Sequence, residues 1–379
     1  MLEAIATAIE AEDYRRAAQL LKPLLKSDGE KNGNRRNPWV QFYVGRVQEG
    51  LGKTTAAEKL YRQLLPQVTN PKLMAQIRQG IARITALKVN AKEGAIATAL
   101  AAPGGQDLGA LILEPLVNLD KKAAAQTFGE VMNLDAYTAR LQLPSRGWRF
   151  YRTGKIGELN YYVQQLHQAE IPCFALPLAK MRELNVFTVQ YFAAGGTAPT
   201  VRCINGEGQK GTLAFQWSEI AQRVEGRLPL FESVVTVDAK HRIVRKTQLQ
   251  DYVVFCDLHL PERNCILRLS EHDYQFLNGI TLTPALAPGE RETVSQSWQY
   301  LMAFLKENLP SVVVWSEFAS FADTVLDFRE TLSRIPAQIE LDRRQFSLWD
   351  PAFHLYSGLA YWRQFKDSSM PLSQLPPGF

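Results

Sequence analysis

Cysteine is scarce in this chain of 379 residues, and no two cysteines form a CxxC pair. So few thiols cannot build the dense disulfide framework of small secreted domains, and the paired motif of a zinc finger is missing. The four cysteines all lie in apolar sequence, where a reduced core thiol is the usual state: Cys173, Cys203, Cys256 and Cys265. We therefore predict no metal and no cofactor.

Long apolar runs are lacking too, since no stretch approaches the roughly 18 residues that a membrane-spanning helix needs. Residues 1–16 carry acidic groups where a signal peptide would carry basic ones. These features predict a cytoplasmic protein without a transmembrane segment. The net charge of +5 favours acidic partners but falls short of the dense basic stripes of dedicated nucleic-acid binders.

The overall composition is that of a globular protein, with 46% hydrophobic and 21% charged residues. At this length we expect two domains. The polar, proline-rich residues 366–379 are predicted to form a mobile tail.

The most informative stretch, Asn37 to Leu65, reads as two antiparallel helices. Gly45 allows one helix to lie close against the other, and the glycines at 50 and 52 break the chain between them. Ala57, Tyr61 and Leu64 then recur at i, i+4 and i+7, which predicts one packed stripe.

A similar stripe of Ala17, Leu21 and Leu24 lies 40 residues earlier. The spacing exceeds the usual tetratricopeptide period of about 34, and the polar insertion at 26–36 accounts for the surplus. A further helix from Pro71 to about Leu87 has one apolar face and is predicted to cap the array.

These spacings resemble those of tetratricopeptide repeats, whose signature Gly45, Ala57 and Tyr61 match over the first quarter of the chain. As a whole, the chain resembles uncharacterised tetratricopeptide-containing proteins of cyanobacteria. The resemblance implies a protein-binding scaffold or assembly factor, whose partner in such cells is often a subunit of a photosynthetic complex.

The resemblance also implies that the concave face of residues 1–87 holds a helical or extended segment of that partner. Trp39, Tyr43 and Arg46 are the candidate contacts, because aromatic and arginine side chains dominate many interfaces.

The small, glycine-rich residues 88–110 are typical of a linker, and a mixed domain is expected over 111–365. Within it, strands at 147–152 and 171–178 flank a helix at 157–169, which predicts a β-α-β unit.

From Val186 the apolar period is two, which predicts a mostly antiparallel sheet of six successive strands. The turn at 260–263 would place Cys256 and Cys265 on facing strands. A buried strand at 311–315 and a helix at 317–333 follow. The predicted fold class is therefore α+β, with N-terminal helical hairpin repeats before a larger mixed domain.

The densest basic cluster is interleaved with aromatic residues and comprises Arg146, Arg149, Arg152 and Lys155. Arginine beside aromatic rings suits phosphates and stacked bases. The alternative function is therefore an anion- or nucleic-acid-responsive regulator that binds through this edge, with nucleic acid less favoured and an anionic membrane surface as a further partner. The cluster at 240–246 has the same ambiguity.

Several chemical motifs are better explained by structure. Residues 50–55, GLGKTT, imitate a phosphate-binding loop but lack its first glycine, and a helix precedes them where a strand is required. Gly206, Gly208 and Gly211 match GxGxxG but precede a strand, which indicates a hairpin tip.

Catalytic and metal patterns are equally weak. Cys256, His259 and Cys265 could face one metal ion, but three ligands without a CxxC pair favour ordinary packing. Asp323 and Asp327 share a predicted helix at i and i+4, a spacing more typical of a solvated face than of an acid–base pair. The sequence therefore predicts a protein that is not an enzyme.

Overall fold

The computed structural model describes residues 1–26, 37–117, 120–237, 243–282, 292–339, 341 and 347–367. The chain divides into two compact units, Met1–Thr98 and Ala99–Phe379. We call them the helical unit and the sheet unit. Helices dominate the first and extended sheets the second, which confirms the α+β class.

The helical unit is built from α1 to α4 and most of α5. Their bounds are α1 Leu2–Glu10, α2 Tyr14–Lys26, α3 Pro38–Gly50, α4 Thr54–Leu64 and α5 Pro71–Ala101. The predicted break between α3 and α4 is confirmed, since Gly52 adopts a φ of 76°, which glycine tolerates better than other residues. The polar insertion predicted at 26–36 lies outside the described residues from position 27 onward.

The prediction that residues 88–110 form an irregular linker is wrong for most of that stretch. Helix α5 does not end near Leu87 but continues to Ala101, and the first strand begins at Leu108. Residues 88–101 are rich in alanine and lysine, which are strong helix formers, and the single internal Gly94 does not outweigh them. Gly104, with a φ of 73°, follows the end of the helix.

Two apolar clusters fill the helical unit. One joins α1 and α2 to Val40 and Val47 of α3, and the other joins α3 and α4 to apolar residues of α5. The predicted stripe alanines, Ala17 and Ala57, are both fully buried. Each second helix of a pair therefore packs on its own first helix and on the helix that follows.

The sheet unit begins with a three-stranded sheet of order β2-β1-β3. Its elements are β1 Leu108–Leu113, α6 Lys121–Met132, α7 Ala136–Gln142, β2 Arg149–Lys155, α8 Ile156–Gln168 and β3 Cys173–Pro177. Both outer strands are antiparallel to β1, so β2 and β3 run parallel to each other across it. The predicted β-α-β unit is present, but the apolar strand between its two strands was missed.

A larger, seven-stranded sheet has the order β10-β7-β8-β9-β4-β5-β6. The strands are β4 Asn185–Ala194, β5 Thr200–Ile204, β6 Lys210–Ala214, β7 Gln222–Val237, β8 Ile243–Leu260, β9 Cys265–Ser270 and β10 Val313–Trp315. Four of its pairings are antiparallel, while β4–β9 and β10–β7 are parallel. The six strands predicted from period two are all present.

Four helices complete the described part of the sheet unit. They are α9 Val294–Asn308, α10 Phe318–Val325, α11 Arg329–Leu332 and α12 Trp349–Asp367. The long helix predicted at 317–333 is thus broken into two. The strand predicted as buried at 311–315 is a short edge strand instead, and Val313 is 56% exposed.

The two faces of the large sheet bury different cores. Alternate residues such as Leu258 and Leu267 pack with α9, whereas Phe255 and Ile266 face α12. Helix α12 is buried all round from Asp350 to Trp362. A helix without a polar face needs partners on every side, which places α12 in the centre of the core.

Strands β7 and β8 extend beyond their neighbours as a long two-stranded arm. Val235 and Ile243 near its end are 64% and 78% exposed. Within the described residues, no helix is both long and apolar enough to span a membrane. The predicted tail lies outside the described residues from position 368 onward.

Candidate functional site

The start of α3 is set by its own sequence. The Asn37 side chain accepts a hydrogen bond from the backbone N–H of Trp39 at 2.9 Å, and Pro38 occupies the first helical position. Both features are favoured at helix N-termini, because the cap satisfies a free N–H and proline has none to lose. This start places Trp39, Tyr43 and Arg46 at successive turns of one helix face.

Tyr61 of α4 contacts the helices on either side of it, α3 and α5. A Cβ atom at Gly45 of α3 would lie 2.4 Å from Tyr61 Cε1, and one at Gly80 of α5 would lie 2.7 Å from Tyr61 Cε2. Real Cβ atoms do not approach so closely, so only glycine fits on either side of the ring. Tyr61 is fully buried, and its ring therefore fixes the spacing of α3, α4 and α5.

A polar network continues from the Tyr61 hydroxyl, which donates to Glu49 Oε2 at 2.9 Å. Arg83 of α5 donates to both oxygens of Glu49, at 2.7 and 3.1 Å. Burial alone would raise the pKa of Glu49, but the hydrogen bonds from Arg83 and Tyr61 outweigh it and lower the pKa. Glu49 thus stays ionised and links the same three helices.

The predicted contact residues lie beside this network and remain partly exposed. Trp39 and Tyr43 have ring centroids 6.2 Å apart, and Tyr43 also contacts Phe42 at 5.6 Å. The Arg46 side chain is 28% exposed and approaches Glu49 at 3.7 Å. Its Nε atom is buried and has no hydrogen-bond partner among the described residues. An aromatic pair next to an incompletely satisfied guanidinium suits an acidic segment with apolar side chains.

Charge is divided unevenly between the two units. Residues 1–98 contain 16 lysines and arginines against 9 aspartates and glutamates, which gives a net charge of +7. Residues 99–379 contain 27 against 29, which gives −2. The overall +5 therefore hides a strongly basic helical unit, whose field attracts acidic partners.

The alternative basic edge does not form one convergent site. Arg146 precedes β2 and Lys155 ends it, and both are exposed. Along the strand, Arg149 pairs with Leu113 and Arg152 with Leu111, so Tyr151 is the extra residue of a β-bulge. The bulge turns Arg152 to the face covered by α8, where its guanidinium lies 5.2 Å from the Tyr162 ring centroid.

Arg149 shares that face, while Phe150 packs in the opposite core, because successive side chains of a strand point to opposite sides of the sheet. The Nε atom of Arg149 is buried without a hydrogen-bond partner among the described residues. The backbone N–H of Phe150 donates to Thr324 Oγ1 at 3.0 Å, so α10 meets this strand. Positions 240–242 of the second basic cluster, 240–246, lie outside the described residues.

A buried serine, histidine and aspartate meet on the α12 face of the large sheet. The Ser357 hydroxyl donates to Asp257 Oδ2 at 2.6 Å, and His259 Nε2 lies 2.9 Å from Ser357 Oγ. The arrangement invites comparison with a catalytic triad, which requires an unprotonated ring nitrogen facing the serine.

The neighbours of His259 fix the opposite tautomer. Trp315 Nε1–H can only donate, so Gln222 accepts it at Oε1 over 2.8 Å. The Gln222 amide nitrogen then donates to the Ala360 carbonyl and to His259 Nδ1, at 2.7 and 2.9 Å. His259 therefore carries its proton on Nε2 and donates it to Ser357.

This network is structural, because the ring nitrogen facing Ser357 has no free lone pair. Asp257, His259 and Ser357 are all fully buried. Burial lowers the pKa of His259 to about 4 despite the nearby Asp257, so the ring is neutral at pH 7. Two further charge-assisted bonds, at 2.7 and 2.8 Å, join Arg268 to Asp257.

The remaining chemical candidates also belong to packing. Cys256 and Cys265 are buried free thiols on neighbouring strands, but Cys265 pairs with Leu260 and Cys256 with Leu269, so they do not face each other. Burial raises the pKa of Cys265 to about 11. Asp327 lies beyond the end of α10 at Val325 and does not share a helix with Asp323, so that predicted pairing is wrong.

Gly206 and Gly208 lie between β5 and β6, and Gly211 is the second residue of β6, which confirms a hairpin tip. Among the described residues, no group of three or more histidine, cysteine, aspartate or glutamate side chains could hold a metal ion.

Sequence reasoning missed the two networks that organise the units. In the helical unit, the missed residues are Glu49 and Arg83, 34 positions apart. In the sheet unit they are Ser357 on α12 and its strand partner Asp257, 100 positions apart. The all-round burial of α12 corresponds to a mostly apolar sequence that could have signalled a central helix.

Comparison of the chain with protein-family models, with curated proteins and with solved structures gave no match. The likeness to tetratricopeptide proteins therefore remains a prediction based on residue spacing.

Proposed function

We propose that this protein is a non-catalytic interaction or assembly factor whose helical unit binds an acidic, partly apolar segment of another protein. The observation that carries the proposal is the α3 face formed by Trp39, Tyr43 and Arg46. Its aromatic side chains are partly exposed, and the Arg46 side chain is 28% exposed, with its Nε 3.7 Å from Glu49 but without a hydrogen bond among the described residues.

Charge supports the choice of an acidic segment. The helical unit has a net charge of +7, whereas the rest of the chain is slightly acidic. Complementary charge steers association and favours the matching partner over others. The two aromatic rings would contribute apolar contact area at little cost in side-chain entropy.

Rigidity supports the choice of α3 as the binding element. Tyr61 fits between glycines of α3 and α5, and Glu49 links the same helices through Arg83. A surface that is already ordered before binding loses less entropy when a partner docks. The expected partner in cells is a protein subunit of a larger assembly.

The experiment is selection of peptides from a random display library by the full-length protein, followed by affinity measurement. We expect enriched peptides to combine aspartate or glutamate with leucine or an aromatic residue. Arg46→Glu should weaken their binding by about tenfold, since a charge pair becomes a repulsion. Trp39→Ala should weaken it as well.

The matched control is Arg62→Glu, which makes the same charge change on α4, where Arg62 is 68% exposed and paired with Glu58. We expect it to change affinity by roughly twofold or less, because Arg62 is not part of the α3 face and an exposed charge is largely screened. Equal effects of the two reversals, or enrichment of basic peptides, would contradict the proposal.

Salt separates this function from the alternative at the Arg146 to Lys155 edge. Binding of an oligonucleotide through phosphate contacts should fall steeply between low and physiological salt. Peptide binding anchored by Trp39 and Tyr43 should change much less. An oligonucleotide complex that is stronger than any peptide complex and is lost with Arg149→Gln would favour the alternative.

A further inference from the structure

A cavity of about 360 Å³ opens on the α12 face of the large sheet, at the end formed by β4, β5 and β9. This volume lies in the range of small-molecule sites. Its walls combine apolar residues, including Val186 and Phe255, with amide and hydroxyl side chains. The cavity belongs entirely to the sheet unit and uses none of the residues assigned to partner binding.

The polar floor is set by strand register. Thr188 of β4 lies opposite Arg268 of β9 on one side and opposite Ile204 of β5 on the other. Gln190 follows two positions along β4, as the extra residue of a β-bulge in the β4–β5 pairing. Thr188 and Gln190 are both half-buried and line the cavity.

The one arginine in the lining is already neutralised. Arg268 is 1% exposed and makes two hydrogen bonds to the fully buried Asp257. Its remaining amino group donates to the carbonyls of Ala337 and Gln338, at 3.2 and 3.3 Å. With Asp273 as the other ionisable group in the described lining, the cavity has no unpaired positive charge to hold an anion.

Gln338 provides a second, independent observation that points to a ligand site. Its φ is 49°, in the left-handed region that residues other than glycine rarely occupy. Its side-chain Oε1 is buried and has no hydrogen-bond partner among the described residues. Strained backbone is costly and clusters at ligand-binding and active sites, and an unsatisfied buried oxygen in a folded protein calls for a specific explanation.

We propose that this cavity binds a neutral small molecule with adjacent hydroxyl groups on a ring, as found in a monosaccharide or in the ribose of a nucleoside. Hydroxyl groups both donate and accept, which matches the amides of Gln190 and Gln338 and the hydroxyl of Thr188. The apolar wall of Val186 and Phe255 would contact the carbon face of such a ring.

The test is calorimetric titration of the full-length protein with glucose, ribose, adenosine and inorganic phosphate. We expect at least one of the three hydroxylated compounds to bind and phosphate not to bind. Adenosine binding without ribose or glucose binding would assign the site to nucleosides, and the reverse would assign it to free sugars. Binding of phosphate alone, or of none of the four at millimolar concentration, would overturn the proposal.

Two variants locate the binding. Thr188→Val keeps the shape of the side chain and should weaken binding about tenfold, whereas Thr153→Val, on the other sheet, should leave it unchanged. Gln338→Gly relieves the positive φ, so it should weaken binding while leaving the thermal midpoint equal or higher. Equal affinities for the Thr188→Val and Thr153→Val proteins would show that the compound binds elsewhere and would refute the cavity.

Discussion

Both units of this protein contain arginines hydrogen-bonded to both oxygens of a carboxylate, and one pair from each unit shows how burial changes the role of such a pair. Arg83 and Glu49 in the helical unit are 35% and 10% exposed, and they link helices next to the proposed binding face. Arg268 and Asp257 in the sheet unit are 1% and 0% exposed. If the first pair is broken, water can solvate its charges, so the loss of stability should be moderate. If one partner of the second pair is removed, the other charge stays buried without solvent, so the loss should be large.

The largest effect should come from breaking the buried pair. Asp257→Ala leaves the Arg268 guanidinium buried and uncompensated, and it should lower the free energy of unfolding of the sheet unit by about 3–5 kcal/mol. Denaturant unfolding, monitored by hydrogen exchange of the amides in β8 and β9, would measure this change in the free energy of unfolding. The double variant Asp257→Leu with Arg268→Met should recover much of the loss; a double variant as unstable as the single one would show that charge is not the cause.

Low pH should destabilise the sheet unit more than the helical unit. Burial lowers the pKa values of His259 and His354 to about 4, and residues 1–98 contain no histidine. A depressed folded-state pKa gives stability that is complete above the unfolded value of about 6.5 and is lost as pH falls toward 4. For His259 the loss should reach about 3 kcal/mol.

The helical unit should hold through that window and weaken only when Glu49 is protonated, because the pKa of that carboxyl is lowered below its usual range. Hydrogen exchange of α3 and of β8, compared between pH 7 and pH 5 after correction for intrinsic rates, measures the difference. Equal loss of protection in both elements at pH 5 would remove this distinction.

Two glycines on α5 offer a matched pair. Gly80→Ala would push a methyl group against the Tyr61 ring and should destabilise the helical unit by about 1–3 kcal/mol. Gly94→Ala meets no atom within 4 Å and should stabilise the same helix by about 0.5–1 kcal/mol. Thermal unfolding by circular dichroism gives both signs, and a shared sign would count against the tyrosine contact.

The smallest expected effect concerns a single hydrogen bond. Tyr61→Phe keeps the ring between its glycines but removes the donor to Glu49, and it should cost about 1 kcal/mol. Tyr43→Phe, on the partly exposed face of α3, serves as the control and should have little effect. Denaturant midpoints of the two variants would be compared, and no difference between them would mean that the Glu49 network contributes nothing through Tyr61.

Local pattern predicted much of the fold. The alternation after Val186 predicted β4 to β9, and the glycines at 50 and 52 predicted the turn between α3 and α4. Such signals depend on the residue itself and its nearest neighbours, so they do not require knowledge of contacts with distant segments. The positions of Trp39, Tyr43 and Arg46 on one helix face were predictable for the same reason.

Other features required the packed structure. The bulge at Tyr151 moves Arg152 from the face predicted by alternation to the opposite one. The extension of α5 to Ala101 contradicts a glycine signal that looked like a linker. No local pattern could bring Asp257, His259 and Ser357 together, since about 100 residues separate the strand from the helix.

The sequence by itself determined the elements of this protein, because periodicity and turn chemistry act within a few residues. Only the tertiary structure decided which charges are paired, which side chains lose their water and where a cavity remains. Those outcomes depend on contacts between distant segments, as between Glu49 and Arg83 or between Thr188 and Arg268. Burial then gives each polar group a cost that its position along the chain does not reveal.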